Sequence, residues 1–316
     1  MNTYNMTRKE LRSAGKSIKS LNIGNGGADS DGARDDRIKK EIGAFYDYAT
    51  SQVRTRFCWN WGLNDPLISS AIESTIPEYR DYGSDGYSEQ LYFLTAKEAA
   101  IADRPSLRIL EVGCGTGGGL NFLSRCNSES TFVGLDISQA AINYANAVYS
   151  RKDRVKFVTG DAEALPFGDN EFDVVLNVES SHNYPMLQRF YSEVARVVKP
   201  GGVFSMVDIF SDCRYQAMVQ AKTATSSLKW GELKDISEGV KDAIRRRMKP
   251  GSPFRQALDF GAPLASRVML QKIVMAAYGA EFVNWNLGAL YKLATMAGGS
   301  EVIPVEKYLH CVAVKT

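Results

Sequence analysis

Residues 107–119 constrain the fold of this chain more than any other segment. They read LRILEVGCGTGGG, which predicts a short apolar strand, an acidic residue and a glycine-rich turn that opens a helix. Gly113, Gly115 and Gly117 can adopt positive φ and let the backbone approach a ligand, and a helix N-terminus presents unpaired N–H groups. The segment therefore predicts a nucleotide-type cofactor site. Taken alone, it also satisfies the dinucleotide fingerprint G-x-G-x-x-G through Gly113, Gly115 and Gly118.

Strands and helices alternate through the middle of the chain. The predicted strands are 108–112, 131–135, 155–159, 172–178, 203–208 and a final one at 306–315, and the clearest helices are 140–149 and 187–198. Such alternation of apolar strands with helices predicts a parallel sheet covered on both faces. We expect an α/β fold with a doubly wound, Rossmann-like, mostly parallel seven-stranded sheet.

The flanking segments divide the chain further. Residues 1–36 are polar and glycine-rich and are expected to form a flexible lead, because they cannot bury much apolar surface. Residues 37–101 look helical and aromatic and are expected to form an N-terminal lid. Residues 211–297 show no convincing strand pair and are expected to form a helical insertion after strand five that caps the substrate. The cofactor-binding domain then comprises 102–210 and 298–316.

Composition excludes several classes of partner. The net charge of +2 favours neither nucleic acid nor a membrane surface, and no apolar run approaches the roughly 18 residues of a membrane span. The 5 cysteines form no C-x-x-C pair, which argues against structural zinc. Their odd number and the lack of a secretory signal predict a reducing, cytoplasmic location.

Polar side chains stand at or near the ends of four predicted strands. They are Glu111, Asp136, Asp161 and Asn177. In a doubly wound sheet, ligands bind at the carboxyl ends of the strands beside the switch point, so all four are expected to point there. The Asp136 carboxylate suits a ribose diol, because it can accept two hydroxyl hydrogen bonds.

Four motifs in register resemble the class I S-adenosylmethionine-dependent methyltransferases. They are ExGCGTG at 111–117, LDIS at 135–138, GDAExLPF at 160–167 and KPGG at 199–202. A nicotinamide dehydrogenase, the rival for the glycine loop, would not need the third motif. The resemblance implies S-adenosyl-L-methionine as cofactor and these cofactor-binding residues: Glu111, Gly113, Cys114, Gly115, Gly117, Asp136, Ile137, Asp161, Ala162 and Asn177.

A closer resemblance lies in residues 172–185, FDVVLNVESSHNYP. This segment is similar to the phthiotriol/phenolphthiotriol dimycocerosate O-methyltransferases and related tailoring enzymes of natural products. The resemblance implies an enzyme of the EC 2.1.1 class that methylates a hydroxyl of a hydrophobic small molecule, a polyketide or peptide natural product. No metal is expected, because no clustered acidic ligands are visible. A monomer or a homodimer is expected.

His182 is the leading candidate for a general base. It is one of only 2 histidines and follows strand four, and neutral imidazole can take the proton of a hydroxyl nucleophile near pH 7. Glu179 is the rival for that role, although it could equally anchor the loop. His310, in the last strand, is expected to be structural.

The aromatic segment at 45–61 has two interpretations, a lid over the ligands or ordinary core. We expect Tyr46, Trp59 and Tyr184 to line the substrate site. Two other functions stay open from the sequence. One is methylation of an enol or aromatic carbon, and the other is a cyclase or binding protein of methyltransferase fold that transfers no methyl group.

Overall fold

The computed structural model describes residues 7–23, 32–52, 58–76, 79, 84–254, 256, 280–283 and 305–316. The strands are β1 (Arg108–Val112), β2 (Thr131–Asp136), β3 (Val155–Thr159), β4 (Phe172–Val178), β5 (Val198–Phe210), β6 (Leu228–Trp230), β7 (Lys234–Asp235) and β8 (Lys307–Lys315). The helices are α1 (Arg8–Ile23), α2 (Gly32–Gln52), α3 (Pro66–Thr75), α4 (Tyr87–Glu98), α5 (Gly118–Cys126), α6 (Gln139–Tyr149), α7 (Leu187–Val197), α8 (Asp212–Ala224) and α9 (Ser237–Arg247). Short 3₁₀ turns occur at Ser181–Asn183 and Ala280–Val283.

The strands form one mostly parallel sheet in the order β3-β2-β1-β4-β5-β8-β6, with β7 also paired to β8. Strands β1 to β5 run parallel, and β8 is antiparallel to β5. The chain order reverses between β1 and β4, which makes the carboxyl ends of these two strands the topological switch point. The predicted doubly wound, Rossmann-like class is confirmed.

Both faces of the sheet are buried, and alternate residues of each strand serve opposite faces. In β4, Val174 and Leu176 pack with α4, α5 and α6, whereas Val175 packs with α7 and α8. In β1, Ile109 and Leu110 divide in the same way. Burial on both faces explains why these strands are continuous apolar runs without polar alternation.

The structure differs from the prediction around strand five and beyond it. Strand β5 extends over Val198–Phe210 because the KPGG segment continues the extended chain through an irregularity in its pairing with β4. The sheet has eight strands among the described residues, because β6 and β7 pair with β8. Residues 211–297, expected to form a helical insertion, therefore also contribute two short strands. Strands of two and three residues carry too little hydrophobic periodicity to be recognised.

The predicted flexible lead is wrong for residues 8–23, which form α1. Ala14, Ile18 and Leu21 are buried together with Ile38, Ile42 and Phe45 of α2. Both sets recur at three- and four-residue spacing, so each gives its helix one apolar stripe. The low average hydrophobicity of the segment hid this stripe.

Helices α2, α3 and α4 occupy the segment that was predicted to be helical, 37–101. Much of the predicted helical cap, residues 257–279 and 284–297, lies outside the described residues. No described helix combines the length and the apolar character that crossing a bilayer requires.

Gly119→Ala is expected to destabilise the protein. A Cβ atom at Gly119 would lie 1.8 Å from the Tyr92 ring, and this overpacking should lower the free energy of unfolding by about 1–3 kcal/mol. Gly15→Ala is the matched control, since Gly15 is also helical but has nothing within 4 Å of its Cβ position. It should raise stability by up to about 1 kcal/mol. Urea denaturation measures both, and an unchanged Gly119→Ala would contradict the packing described.

Candidate active site

A cleft of about 990 Å³, partly continuous with solvent, opens at the carboxyl ends of β1 to β4 beneath α2. The glycine loop after β1, the residues after β2 and β3 and the segment after β4 form its walls. It is also lined by Tyr46, Cys58, Trp59 and Tyr92 from the N-terminal region. The cleft therefore lies at the switch point, where the fold predicts a ligand.

Two hydrogen bonds hold the glycine loop against the end of β2. The N–H groups of Gly113 and Cys114 donate to the carbonyl oxygen of Leu135 at 2.7 and 3.0 Å. A Cβ atom at Gly113 (φ 78°) would lie 1.9 Å from the Ser180 hydroxyl oxygen, so this glycine is required by packing. At Gly115 (φ 51°) a Cβ atom would meet nothing within 4 Å. Gly113 thus lets the loop pack, and Gly115 leaves room for a ligand.

Asp136 contacts the glycine loop directly. Its Oδ2 accepts from Gly115 N at 2.8 Å, and its Oδ1 accepts from Ser138 N at 2.8 Å. Burial raises the pKa of this carboxyl above its ordinary value, although the backbone donors act in the opposite direction. Each oxygen retains capacity for another donor. Ile137, the next residue, lines the same wall.

Asp161 and Ala162 line the cleft beside the end of β3. Asp161 Oδ1 accepts from Glu163 N at 2.9 Å, and its Oδ2 accepts from Lys39 Nζ at 2.7 Å. Sequence reasoning missed Lys39, because it lies 122 residues away on α2 and no local pattern marks it.

Glu111 and Asn177 do not line the cleft, contrary to expectation. Glu111 is fully buried and accepts from Tyr92 Oη at 2.7 Å. Burial raises its pKa to about 8. Asn177 Nδ2 donates to Val112 O at 2.8 Å and to Tyr184 Oη at 3.1 Å. Both side chains instead hydrogen-bond to the hydroxyls of two residues that do line the cleft, Tyr92 and Tyr184.

His182 is buried and forms a pair with Asp208 at the end of β5. Its Nδ1 lies 2.7 Å from Asp208 Oδ1, and Asp208 Oδ2 accepts from the backbone N of His182 at 2.9 Å. Burial acts to raise the pKa of Asp208, but His182 and the hydrogen bonds outweigh it and hold the pKa below its ordinary value. Sequence reasoning missed Asp208, although its place at the end of an apolar strand was a usable signal.

Asn183 lies between His182 and the cleft. Its Nδ2 lies 2.9 Å from His182 Nε2 and donates to Tyr46 Oη at 3.0 Å. Asn183 lines the cleft, whereas His182 is not among the lining residues. The imidazole is therefore adjacent to the cleft but separated from it by one amide.

Glu179 anchors two distant segments. It is buried, lines the cleft and has φ of 49°, an uncommon conformation for a residue with a side chain. Its Oε2 accepts from Trp61 N at 2.8 Å and from the Tyr308 hydroxyl. Burial raises the pKa of Glu179 to about 8. This geometry is that of the loop anchor that the sequence left open as an alternative.

The three predicted aromatic residues lie in the cleft wall. The rings of Tyr46 and Trp59 meet edge to face with centroids 6.2 Å apart. Tyr184 Oη lies 2.7 Å from Ser180 Oγ. Their contact with a substrate stays a prediction.

Replacing Glu179 by Gln is expected to stabilise the protein increasingly as pH rises. Because the folded pKa is about 8 and the ordinary value is 4.5, the folded chain holds a proton that the unfolded chain releases between these values. Glu179 therefore makes the free energy of unfolding fall as pH rises across this window, by up to about 1.4 kcal/mol per pH unit. Glutamine keeps an acceptor oxygen for Trp61 and Tyr308 and removes the titration.

The measurement is thermal unfolding of both proteins at pH 5 and pH 8. Glu238→Gln, at a side chain that is 80% exposed, controls for the loss of one negative charge. A Glu179→Gln variant whose stability relative to the parent is the same at both pH values would contradict the assignment.

Comparison with known proteins agrees with this geometry. Residues 110–206 match the family model described as a methyltransferase domain. A fatty-acid O-methyltransferase of Mycolicibacterium smegmatis is 48% identical over 122 residues, which cover 39% of this chain and 43% of that protein. A phthiotriol/phenolphthiotriol dimycocerosates methyltransferase of Mycobacterium tuberculosis is 45% identical over 151 residues, 48% of this chain and 52% of that protein. The chain thus spans about half the length of these curated relatives.

Among solved structures, the cyclase SpnF resembles this chain with a TM-score of 0.58 and 18% identity. The likeness covers 88% of this chain and 96% of that one, and it concerns the fold. Together with the matched domain, the switch-point cleft and the ordered motifs, it leads to one conclusion. Residues 110–206 are similar to a methyltransferase domain, and they form a sheet of Rossmann-like fold with the cleft at its switch point.

Proposed function

We propose that this protein transfers a methyl group from S-adenosylmethionine to a hydroxyl of a hydrophobic small molecule of lipid or natural-product type. The observation that carries the proposal is the composition of one cleft. The Gly115 loop, Asp136 and Asp161 form one part of it, and the buried His182–Asp208 pair lies directly behind another. The name of one curated relative, a fatty-acid O-methyltransferase, supports oxygen as the acceptor atom.

The residues of the cleft fit the proposed cofactor. The open space at Gly115 accommodates a ligand against the backbone, and the Asp136 carboxylate has acceptor capacity for a ribose diol. Asp161 supplies an acceptor for the exocyclic amine of adenine. The cofactor contributes an activated methyl group, so the protein has mainly to orient the acceptor and exclude water.

His182 is the proposed general base. Asp208 accepts from Nδ1–H, which fixes the tautomer and leaves the lone pair on Nε2. In the described conformation the Asn183 amide covers this nitrogen. The base can reach an acceptor hydroxyl only if that amide turns aside, and Tyr46 is the other group that holds it.

The acceptor end of the cleft supports an apolar substrate. Tyr46, Trp59, Ile42 and Val178 contribute to its wall. Aromatic and aliphatic walls with few polar groups are typical of sites for small apolar ligands. The proposal is tested with cofactor labelled at the methyl group and a panel of long-chain alcohols and hydroxy fatty acids. Label in an alkali-stable ether supports it, whereas label in an ester or on carbon would overturn a hydroxyl as the acceptor.

Asp136→Ala is expected to weaken binding of S-adenosylhomocysteine by about 1.5–3 kcal/mol, the range for hydrogen bonds to a charged group. Isothermal titration calorimetry measures this directly and needs no acceptor. Asp169→Ala, at a side chain that is 71% exposed, is the control and should bind like the parent. Equal affinity of the Asp136 variant and the parent would remove Asp136 from the cofactor site.

His182→Ala is expected to lower kcat by roughly 10²–10⁴-fold, the usual contribution of positioned proton transfer. Affinity for S-adenosylhomocysteine should barely change, because the imidazole lies behind Asn183 and does not line the cleft. The other histidine supplies the control: His310 is buried against Ser205 Oγ at 3.1 Å, and His310→Gln should keep the parent rate. A loss below about tenfold in the His182 variant would make orientation the main source of catalysis.

A further inference from the structure

Lys39 connects helix α2 to two carboxylates at one end of the cleft. Its Nζ lies 2.7 Å from Asp161 Oδ2 and 2.7 Å from Glu163 Oε2. The Lys39 and Glu163 side chains are 14% and 2% exposed, so this half of the bridge is shielded from water, whereas the Asp161 side chain is 33% exposed. All three residues line the cleft.

The Lys39 ammonium group holds the carboxyl groups of Asp161 and Glu163 close to each other. Burial acts to lower the pKa of Lys39, but the two carboxylates outweigh it, and the net pKa is raised. The ammonium group therefore remains charged between them. Glu163 is held from its other side as well, because its Oε1 accepts from Met186 N at 2.6 Å. Asp161 is thus fixed in a network whose cation comes from α2.

A second polar contact docks the same helix. Asp47 Oδ1 accepts from Ser138 Oγ at 2.7 Å and from Ala140 N at 2.8 Å, at the start of α6. Between the two contacts, a Cβ atom at Gly43 would lie 3.7 Å from Ile137 Cγ1, so the helix backbone runs close to this residue. Helix α2 consequently lies across the residues that follow β2 and β3.

We propose that Lys39 is a positioning residue for the nucleoside end of the cofactor, holding Asp161 in place to accept the exocyclic amine while it docks α2 above the site. This inference rests on the proposed function. A carboxylate oxygen can accept from two donors, so Asp161 can keep Lys39 and take the amine as well. Orientation before binding lowers the entropy lost on binding.

The same helix extends the effect to the other end of the cleft. Tyr46 follows Lys39 by two helical turns, about 10 Å along the axis, and accepts from Asn183 beside His182. Docking of α2 at Asp161 therefore also positions the Tyr46 hydroxyl. This hydroxyl accepts from the Asn183 amide, which lies in front of His182.

The test compares S-adenosylhomocysteine with S-inosylhomocysteine, in which a carbonyl oxygen replaces the exocyclic amine. Calorimetry with the full chain should show that the parent prefers the adenosine form by about tenfold or more, the size expected for a hydrogen bond to a charged group. In Lys39→Met that preference should fall to about threefold or less, because Asp161 is no longer held. Lys39→Arg, which keeps the charge, should retain most of it.

A purely structural role for Lys39 predicts another pattern. Asp47→Ala loosens α2 at its other contact without touching Asp161, and it should weaken both ligands by the same factor. If Lys39→Met also weakens both equally, or changes neither, the inference is overturned. If the methionine variant does not fold by circular dichroism, Lys39→Gln takes its place and is judged by the same preference. If the parent binds neither ligand, the proposed function itself fails.

Discussion

The site depends on the contact between the glycine loop and the end of β2. The N–H groups of Gly113 and Cys114 both donate to the Leu135 carbonyl oxygen, which ties the end of β1 to the end of β2. This contact brings Gly115 N against the Asp136 carboxylate at 2.8 Å. It requires positive φ at Gly113, where a side chain would also collide with Ser180. The loop is therefore specified by sterics and hydrogen bonding before any ligand is considered.

Around this contact, two buried charged groups are paired with partners distant in sequence. Glu179 bonds to Trp61 and Tyr308, which places one segment from each end of the chain beside β4. Arg247 is fully buried and forms an ion pair with Asp85 at 2.7 Å while donating to Asn60 O. Removing one partner of such a pair leaves an uncompensated buried charge, so the loss of either residue would lower the stability of the fold. These contacts hold the segment that carries Trp59 against the cleft.

The N-terminal helices have a larger part in the site than their composition suggested. Helix α1 packs on α2 and also contacts the turn Ser181–Asn183. Helix α2 in turn supplies Lys39, Tyr46 and Asp47 to three different places around the cleft. All three contacts are made within about two turns of this one helix. The two ends of the cleft therefore share one structural element.

The sequence by itself determined the class of the sheet, its principal strands and the edge at which the cleft lies. The strand limits 108–112, 155–159 and 172–178 were predicted as observed, because each strand is buried on both faces and bounded by turn residues, so local patterning suffices. The glycine loop, Asp136 and Asp161 line the cleft as expected for the same reason, since residues at strand ends keep a fixed relation to the fold. Only the tertiary structure decided which polar groups face the cleft. Glu111 and Asn177 bond to other residues and do not line the cleft. His182 pairs with Asp208, and Asn183 lies in front of it. Lys39 bonds to Asp161, which lies 122 positions away in the chain. These arrangements depend on hydrogen bonds and charge pairing between elements far apart in the chain, and such partners leave no periodic trace in the sequence.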